Sequence, residues 1–181
     1  ETNELLLVVP SVAGKRCTLN PTRHHRLGHC STPPNAVPVQ VIRCWRGVMD
    51  IQLLFDTHRR MIRRARNFLY IEHQYPFHNF ALTYELCEAL RNNPQLKVCI
   101  VTAVKTDLPS GIVGDLVNWS QDHITQHLLR IHKVAPDRVA VYGLCQQDTY
   151  RNLIKPIYVH SKLVVVDDEF IVTGSANMDD M

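Results

Sequence analysis

Near the C-terminal end of this 181-residue chain stands a set of side chains whose types suit one kind of reaction: His160, Lys162, Asp167, Ser175 and Asn177. A neutral imidazole can attack phosphorus, and a protonated one can give its proton to a leaving oxygen. An ammonium supplies fixed positive charge where phosphoryl oxygens gain negative charge, so that task demands no divalent ion or other cofactor. Ser175 and Asn177 can add hydrogen bonds. These groups could converge beside one phosphate, provided the chain folds to bring them there.

The elements that must do so are legible in the pattern. Residues 158–166 are rich in β-branched and apolar side chains, residues 170–173 repeat that character, and the acidic triplet Asp167-Asp168-Glu169 lies between them. This predicts a β-hairpin with the triplet as its turn. Alternation along a strand would project His160 and Lys162 from one face and set Ser175 and Asn177 together at the end of the return strand. Asp167, in or near the turn, is expected to pin the hairpin rather than touch phosphate. An ordinary buried hairpin would leave Lys162 unexplained, because lysine is seldom set at the inner end of a strand unless paired or functional. In residues 70–75 the same alternation puts Glu72 and Gln74 on one face and Ile71 and Tyr75 on the other, so two polar groups could line a site.

With 45% hydrophobic and 20% charged residues, the chain has the composition of one soluble globular domain. A net charge of +3 and a pI near 8.6 suit an anionic ligand or surface but fall short of a nucleic-acid footprint, so nucleic acid is not the expected partner. Six cysteines without a CxxC spacing read as reduced thiols in an intracellular, cytoplasmic protein. The apolar runs are too short to span a bilayer. The chain begins with Glu1 and stops a few residues after Asn177, which reads as a piece of a longer protein. Residues 1–38 read as an irregular N-terminal segment holding one short strand at 5–9. Its Cys17, His24, His25, His29 and Cys30 match no common zinc spacing. From residue 39 the pattern alternates, with strands at 39–45, 68–75, 96–104 and 138–144 and helices at about 50–66, 81–91 and 112–131. That order predicts an α/β fold, a mixed β-sheet flanked by helices. Arg59, Arg60, Arg63, Arg64 and Arg66 give the first helix a basic face, read as solvated. His123 and His127 are four apart on the third helix, but no carboxylate completes a metal triad. They are expected to face solvent, and no metal site is expected.

His160-x-Lys162, then Asp167 after four residues and Gly174-Ser175-Ala176-Asn177 seven positions beyond, resembles the HxKxxxxD plus GSAN signature of the phospholipase D superfamily. The 70–75 stretch resembles the YIENQYF segment that precedes the second such motif in eukaryotic-type phospholipases D, and departs at His73, where that pattern has Asn. The resemblance covers about residues 39–181 and implies the C-terminal catalytic lobe of a bi-lobed enzyme, truncated at its end. It implies His160, Lys162 and Asp167 as the catalytic signature, with Ser175, Asn177, Glu72 and Gln74 toward the substrate. The implied reaction is hydrolysis of phosphatidylcholine-like phospholipids at a membrane surface, through a phosphohistidine, to phosphatidate and free alcohol. Transfer to added alcohols and peripheral membrane association go with it. One histidine cannot at the same moment carry the phosphoryl group and donate the proton. In the family two motifs meet across a pseudo-twofold axis, which implies a missing N-terminal half or a second subunit, with His160 as the acid. Family members usually carry Arg where Met181 stands, and an orienting carboxylate further on. Three other readings stand beside this one: a nuclease or other phosphodiesterase using the same motif as a homodimer, a cardiolipin-synthase-like transferase, which the 70–75 segment disfavours, and a non-catalytic phospholipid-binding module. Calcium or phosphoinositide regulation is not written in the sequence.

Overall fold

The computed structural model describes residues 4–9, 39–44, 51–103, 112–148 and 153–178. The expectations for Cys17, His24, His25, His29, Cys30 and Met181 fall outside them. In chain order the elements are β1 (Glu4–Val9), β2 (Gln40–Cys44), α1 (Ile51–Arg64), β3 (Phe68–His73), α2 (Phe80–Asn92), β4 (Lys97–Thr102), α3 (Ile112–Val134), β5 (Val139–Asp148), β6 (Leu153–Ile157), β7 (Lys162–Val166) and β8 (Phe170–Gly174). They build a mixed sheet in the order β2-β1-β8-β7-β3-β4-β5-β6. The α/β class expected from the alternation is the one observed.

Parallel neighbours need a long crossover, and α2 and α3 supply it between β3, β4 and β5, which pair parallel. Sequence periodicity explains which sides are buried. Leu69, Ile71 and His73 are buried on β3 while Phe68, Tyr70 and Glu72 between them are not, and Leu82, Leu86 and Leu90 recur at helical spacing on α2. The five buried apolar residues among them meet Ile62, Ile100, Ile131, Val164 and Val166 in one core. Asn79 caps α2, its side-chain oxygen accepting the Ala81 N–H at 2.6 Å. At the other end of α2, the Arg138 guanidinium donates to the carbonyls of Leu90, Asn93 and Leu96 at 2.9–3.1 Å, a cation placed where helix carbonyls lack partners. The basic face of α1 is not wholly solvated, since Arg59 and Arg63 both bind Glu85 of α2 at 2.6 to 2.8 Å.

Several expectations need correction. The strand expected over 158–166 begins only at Lys162; residues 158–161 are irregular, so His160 precedes the strand. The strand β6 has no counterpart in the sequence reading. It pairs with the second half of β5, whose first half pairs with β4, and is itself exposed along its whole length. Pro156 inside β6 removes a ladder donor, which weakens the strand signal and is tolerated because β6 ends the strand order. His127 does not face solvent. It is buried between helices, with Nδ1 3.0 Å from the Thr83 hydroxyl of α2. The short strand expected at 5–9 is β1, which lies between β2 and β8 in the sheet.

Candidate functional site

Three strand ends meet at one edge of the sheet. Antiparallel pairing sets His73, the last residue of β3, opposite Lys162, the first of β7. On the other side of β7, Leu163 is opposite Thr173 of β8, so the register carries residues 174–177 alongside the segment that holds His160. The hairpin turn at the far end is tight, with Asp167 and Asp168 at φ 51° and 57° and the Glu169 N–H donating to the Val166 carbonyl. Positive φ at both positions matches the twist of a hairpin, and aspartate tolerates it better than most residues.

Lys162 is 6% exposed. Its Nζ donates to Gln74 Oε1 at 2.7 Å and to the carbonyl oxygen of His160 at 2.8 Å. A buried ammonium is costly unless its donors are met, and these two oxygens take two of the three. The expected common face for His160 and Lys162 is not what forms. His160 is exposed on the irregular segment, and what Lys162 touches is the His160 backbone rather than its ring. The His160 imidazole stands beside Tyr158, with ring centroids 6.2 Å apart.

Glu72 and Gln74, which alternation places on one face, serve different partners. The Glu72 carboxylate accepts from the hydroxyls of Ser161 and Tyr70, each at 2.6 Å. The Ser161 bond, then the Tyr70 bond, hold its pKa below the usual carboxylate value against a smaller desolvation effect. The Tyr70 hydroxyl is pushed up to about 12, chiefly by donating to Glu72. Gln74 reaches Lys162 with Oε1 and the Tyr158 hydroxyl with Nε2, at 2.5 Å. Ser175 is exposed and Asn177 half-buried, while Ala176 and Met178 between and after them are buried, so the expected alternation persists beyond the end of β8. Asn177 Oδ1 is buried without a hydrogen-bond partner among the described residues.

Asp167 lies at the opposite end of β7 from Lys162, roughly 16 Å away at a strand's rise. Its carboxylate accepts the backbone N–H groups of Arg66, Asn67 and Phe68 at 2.7–2.8 Å and so clamps the turn to the start of β3. Burial raises its pKa, but the three N–H donors outweigh that and leave it below the ordinary value.

Two buried histidines, His58 and His73, meet near this end of the sheet. His73 is 1% exposed, and neither ring nitrogen has a hydrogen-bond partner among the described residues. His58 of α1 meets it edge-on, with centroids 6.2 Å apart, and places Nδ1 3.1 Å from the Leu54 carbonyl. Burial lowers the His58 pKa to about 4 and holds His73 well below its usual value, helped there by the charges of His58 and Lys162. Both are therefore neutral imidazoles at neutral pH. The signals are periodic: helical spacing sets His58 with Leu54, Phe55 and Ile62 on the apolar face of α1, and the β3 alternation puts position 73 on the core side. No group of three or more His, Cys, Asp or Glu among the described residues is placed to hold a metal ion. A hollow of about 600 Å³ lined by Tyr70, Cys99, Ala140 and Val165 lies toward the other ends of the strands and includes none of His160, Lys162, Ser175 and Asn177.

A buried ammonium, hydroxyl and carboxamide groups at the same ends of the strands, and an exposed imidazole two residues before the ammonium in the chain make up the candidate site of this α/β domain. The chain is similar to phospholipase D delta of Arabidopsis thaliana, at 24% identity across 77% of this chain and 21% of that protein. It is also similar to phospholipase D alpha 2 of Oryza sativa subsp. japonica, at 28% identity across 83% of this chain and 25% of that protein. The chain thus spans about a fifth to a quarter of the length of these curated relatives. The structure of NucT from Helicobacter pylori aligns with a TM-score of 0.45 and 15% identity, over 71% of this chain and 69% of that one. No family model matches. Taken with the motif residues, the two sequence matches relate this chain to the phospholipase D superfamily.

Proposed function

We propose that this chain carries one histidine–lysine half-site of a phospholipase D-type phosphodiesterase that hydrolyses phosphatidylcholine-like phospholipids to phosphatidate and free alcohol. The observation that carries the reading is Lys162, a buried ammonium that donates to Gln74 Oε1 and to the His160 carbonyl at the end of β7 where β8 also ends. Lys162 stabilises charge growing on the phosphoryl oxygens. Exposed His160 exchanges the proton with the departing alcohol, and the covalent phosphohistidine forms on the histidine of a second motif. That second motif comes from an N-terminal half or another subunit. Ser175 and Asn177 offer hydrogen bonds to the substrate, and the orphaned Asn177 Oδ1 supports that assignment because buried acceptors are seldom left unpaired. No metal or other cofactor takes part in the chemistry as proposed. Among the described residues no helix is long and apolar enough to cross a membrane, and the proposal places the protein in the cytoplasm with its site at a membrane surface.

The test is choline release from phosphatidylcholine vesicles, with and without a primary alcohol, by the protein that contains this chain. A phosphohistidine opens to any small nucleophile, so phosphatidyl alcohol should form at the expense of phosphatidate. His160→Asn should abolish turnover while preserving the fold. Activity within tenfold of wild type in that variant would sink the assignment. Nicking of DNA without choline release would transfer it to the nuclease branch.

A further inference from the structure

The side chain that sets Lys162 in place is itself set by another. The Gln74 carboxamide spans two unlike partners, accepting from the Lys162 ammonium through Oε1 and donating to the Tyr158 hydroxyl through Nε2. Only one orientation satisfies both. Turned over, the amide would bring its NH₂ donors against an ammonium that has nothing but donors. Gln74 is 9% exposed, so water gives little relief to a misplaced amide. Its backbone is already fixed, with its N–H donating to the Ser161 carbonyl at 3.1 Å and its carbonyl accepting from the Thr102 hydroxyl at 3.3 Å. What the backbone bonds leave open is the side chain, and its last rotation decides which way the amide faces. The Tyr158 hydroxyl, held in turn 3.2 Å from that of Tyr75, removes that freedom.

We infer that Tyr158 is a positioning residue for the phosphodiester reaction, its hydroxyl fixing the Gln74 amide so that Oε1 holds the Lys162 ammonium at the phosphate. The inference rests on the phosphodiesterase reading of the site. Tyr158 also precedes His160 by two residues, and its ring lies 6.2 Å from the imidazole, so the contact that orients the amide anchors the segment bearing the acid as well. One hydroxyl thus couples the placement of the charge to that of the proton donor.

The experiment is a double-mutant cycle on phosphatidylcholine turnover in the protein that contains this chain, using Tyr158→Phe, Gln74→Leu and the pair, with His160→Asn as reference. Tyr158→Phe keeps the ring and removes the acceptor. It should lower kcat about tenfold, the scale of one hydrogen bond, with KM within about twofold and the thermal midpoint unchanged. In the Gln74→Leu background the same change should cost nothing further, because both residues act through one amide. Equal losses in both backgrounds would mean that Tyr158 meets the substrate directly and would overturn the inference. Unchanged kcat in Tyr158→Phe, with His160→Asn inactive, would overturn the inference and leave the phosphodiesterase reading standing. Activity retained in His160→Asn would remove that reading instead. A second measurement needs no turnover and no Gln74 variant to fold. The Gln74 side-chain NH₂ resonances of the chain should exchange slowly with solvent, and Tyr158→Phe should make them exchange fast. Equal protection in both proteins would refute the arrangement.

Discussion

Acid should weaken this fold through His58 before any carboxylate titrates. The folded-state pKa of His58 is about 4, lowered from 6.5 by burial. A group whose folded pKa is depressed binds protons more readily in the unfolded chain, so the stability it confers is intact above 6.5 and drains away as pH falls toward 4. The gap of about 2.5 units is worth about 3 kcal/mol in full, of which about 2 kcal/mol is gone by pH 5. His73 shifts in the same direction, and because the two rings are neighbours beside Lys162, their protonations oppose each other and do not simply add. Glu72, Glu85 and Asp167 also have lowered pKa values, but their contributions are lost only below the ordinary carboxylate range, so the window from 6.5 to 5 belongs to histidines. The assay is urea unfolding followed by circular dichroism at pH 7.5 and pH 5, on wild type and on His58→Leu, which fills the site without titrating. The difference in pH sensitivity between the two proteins should be about 2 kcal/mol, with the variant flatter. Equal pH sensitivity would show that His58 is not buried and neutral as described.

Lys162→Met should leave the fold intact and lower kcat by about a hundredfold or more, the scale of losing one charged donor at a reacting phosphate, as read from steady-state choline release. Asp167→Ala strips three backbone N–H groups of their acceptor and should destabilise by about 2–3 kcal/mol in urea unfolding, while kcat per folded molecule stays within a few-fold of wild type. Arg138→Met keeps the aliphatic stem and removes three bonds to carbonyls at and beyond the end of α2. It should cost about 2 kcal/mol and speed amide exchange over residues 90–96 without touching turnover.

The sequence by itself determined the hairpin, because a side-chain period of two and an acidic turn are local properties, and with it the placing of His160, Lys162, Ser175 and Asn177 toward the end away from the turn. It also determined the βαβαβ core, since apolar spacing along each segment reports which face will be buried. It pointed to a clamp at Asp167, although not to the three amides of residues 66–68 that complete it a hundred positions away. The tertiary structure alone decided the rest. Tyr158, Gln74 and Lys162 become a chain of hydrogen bonds only when β3 and β7 pair, and residues 74 and 158 are 84 positions apart. His127 reads as a surface residue on α3 until α2 packs over it and Thr83 meets its ring. The irregular backbone before β7 turned His160 outward while Lys162 was buried, because the ladder begins at Lys162 rather than at Tyr158, where the apolar pattern starts. Periodicity records which side of an element is dry. Which polar groups meet on that side depends on register and packing between segments far apart in the chain, and single-segment patterns carry no information about either.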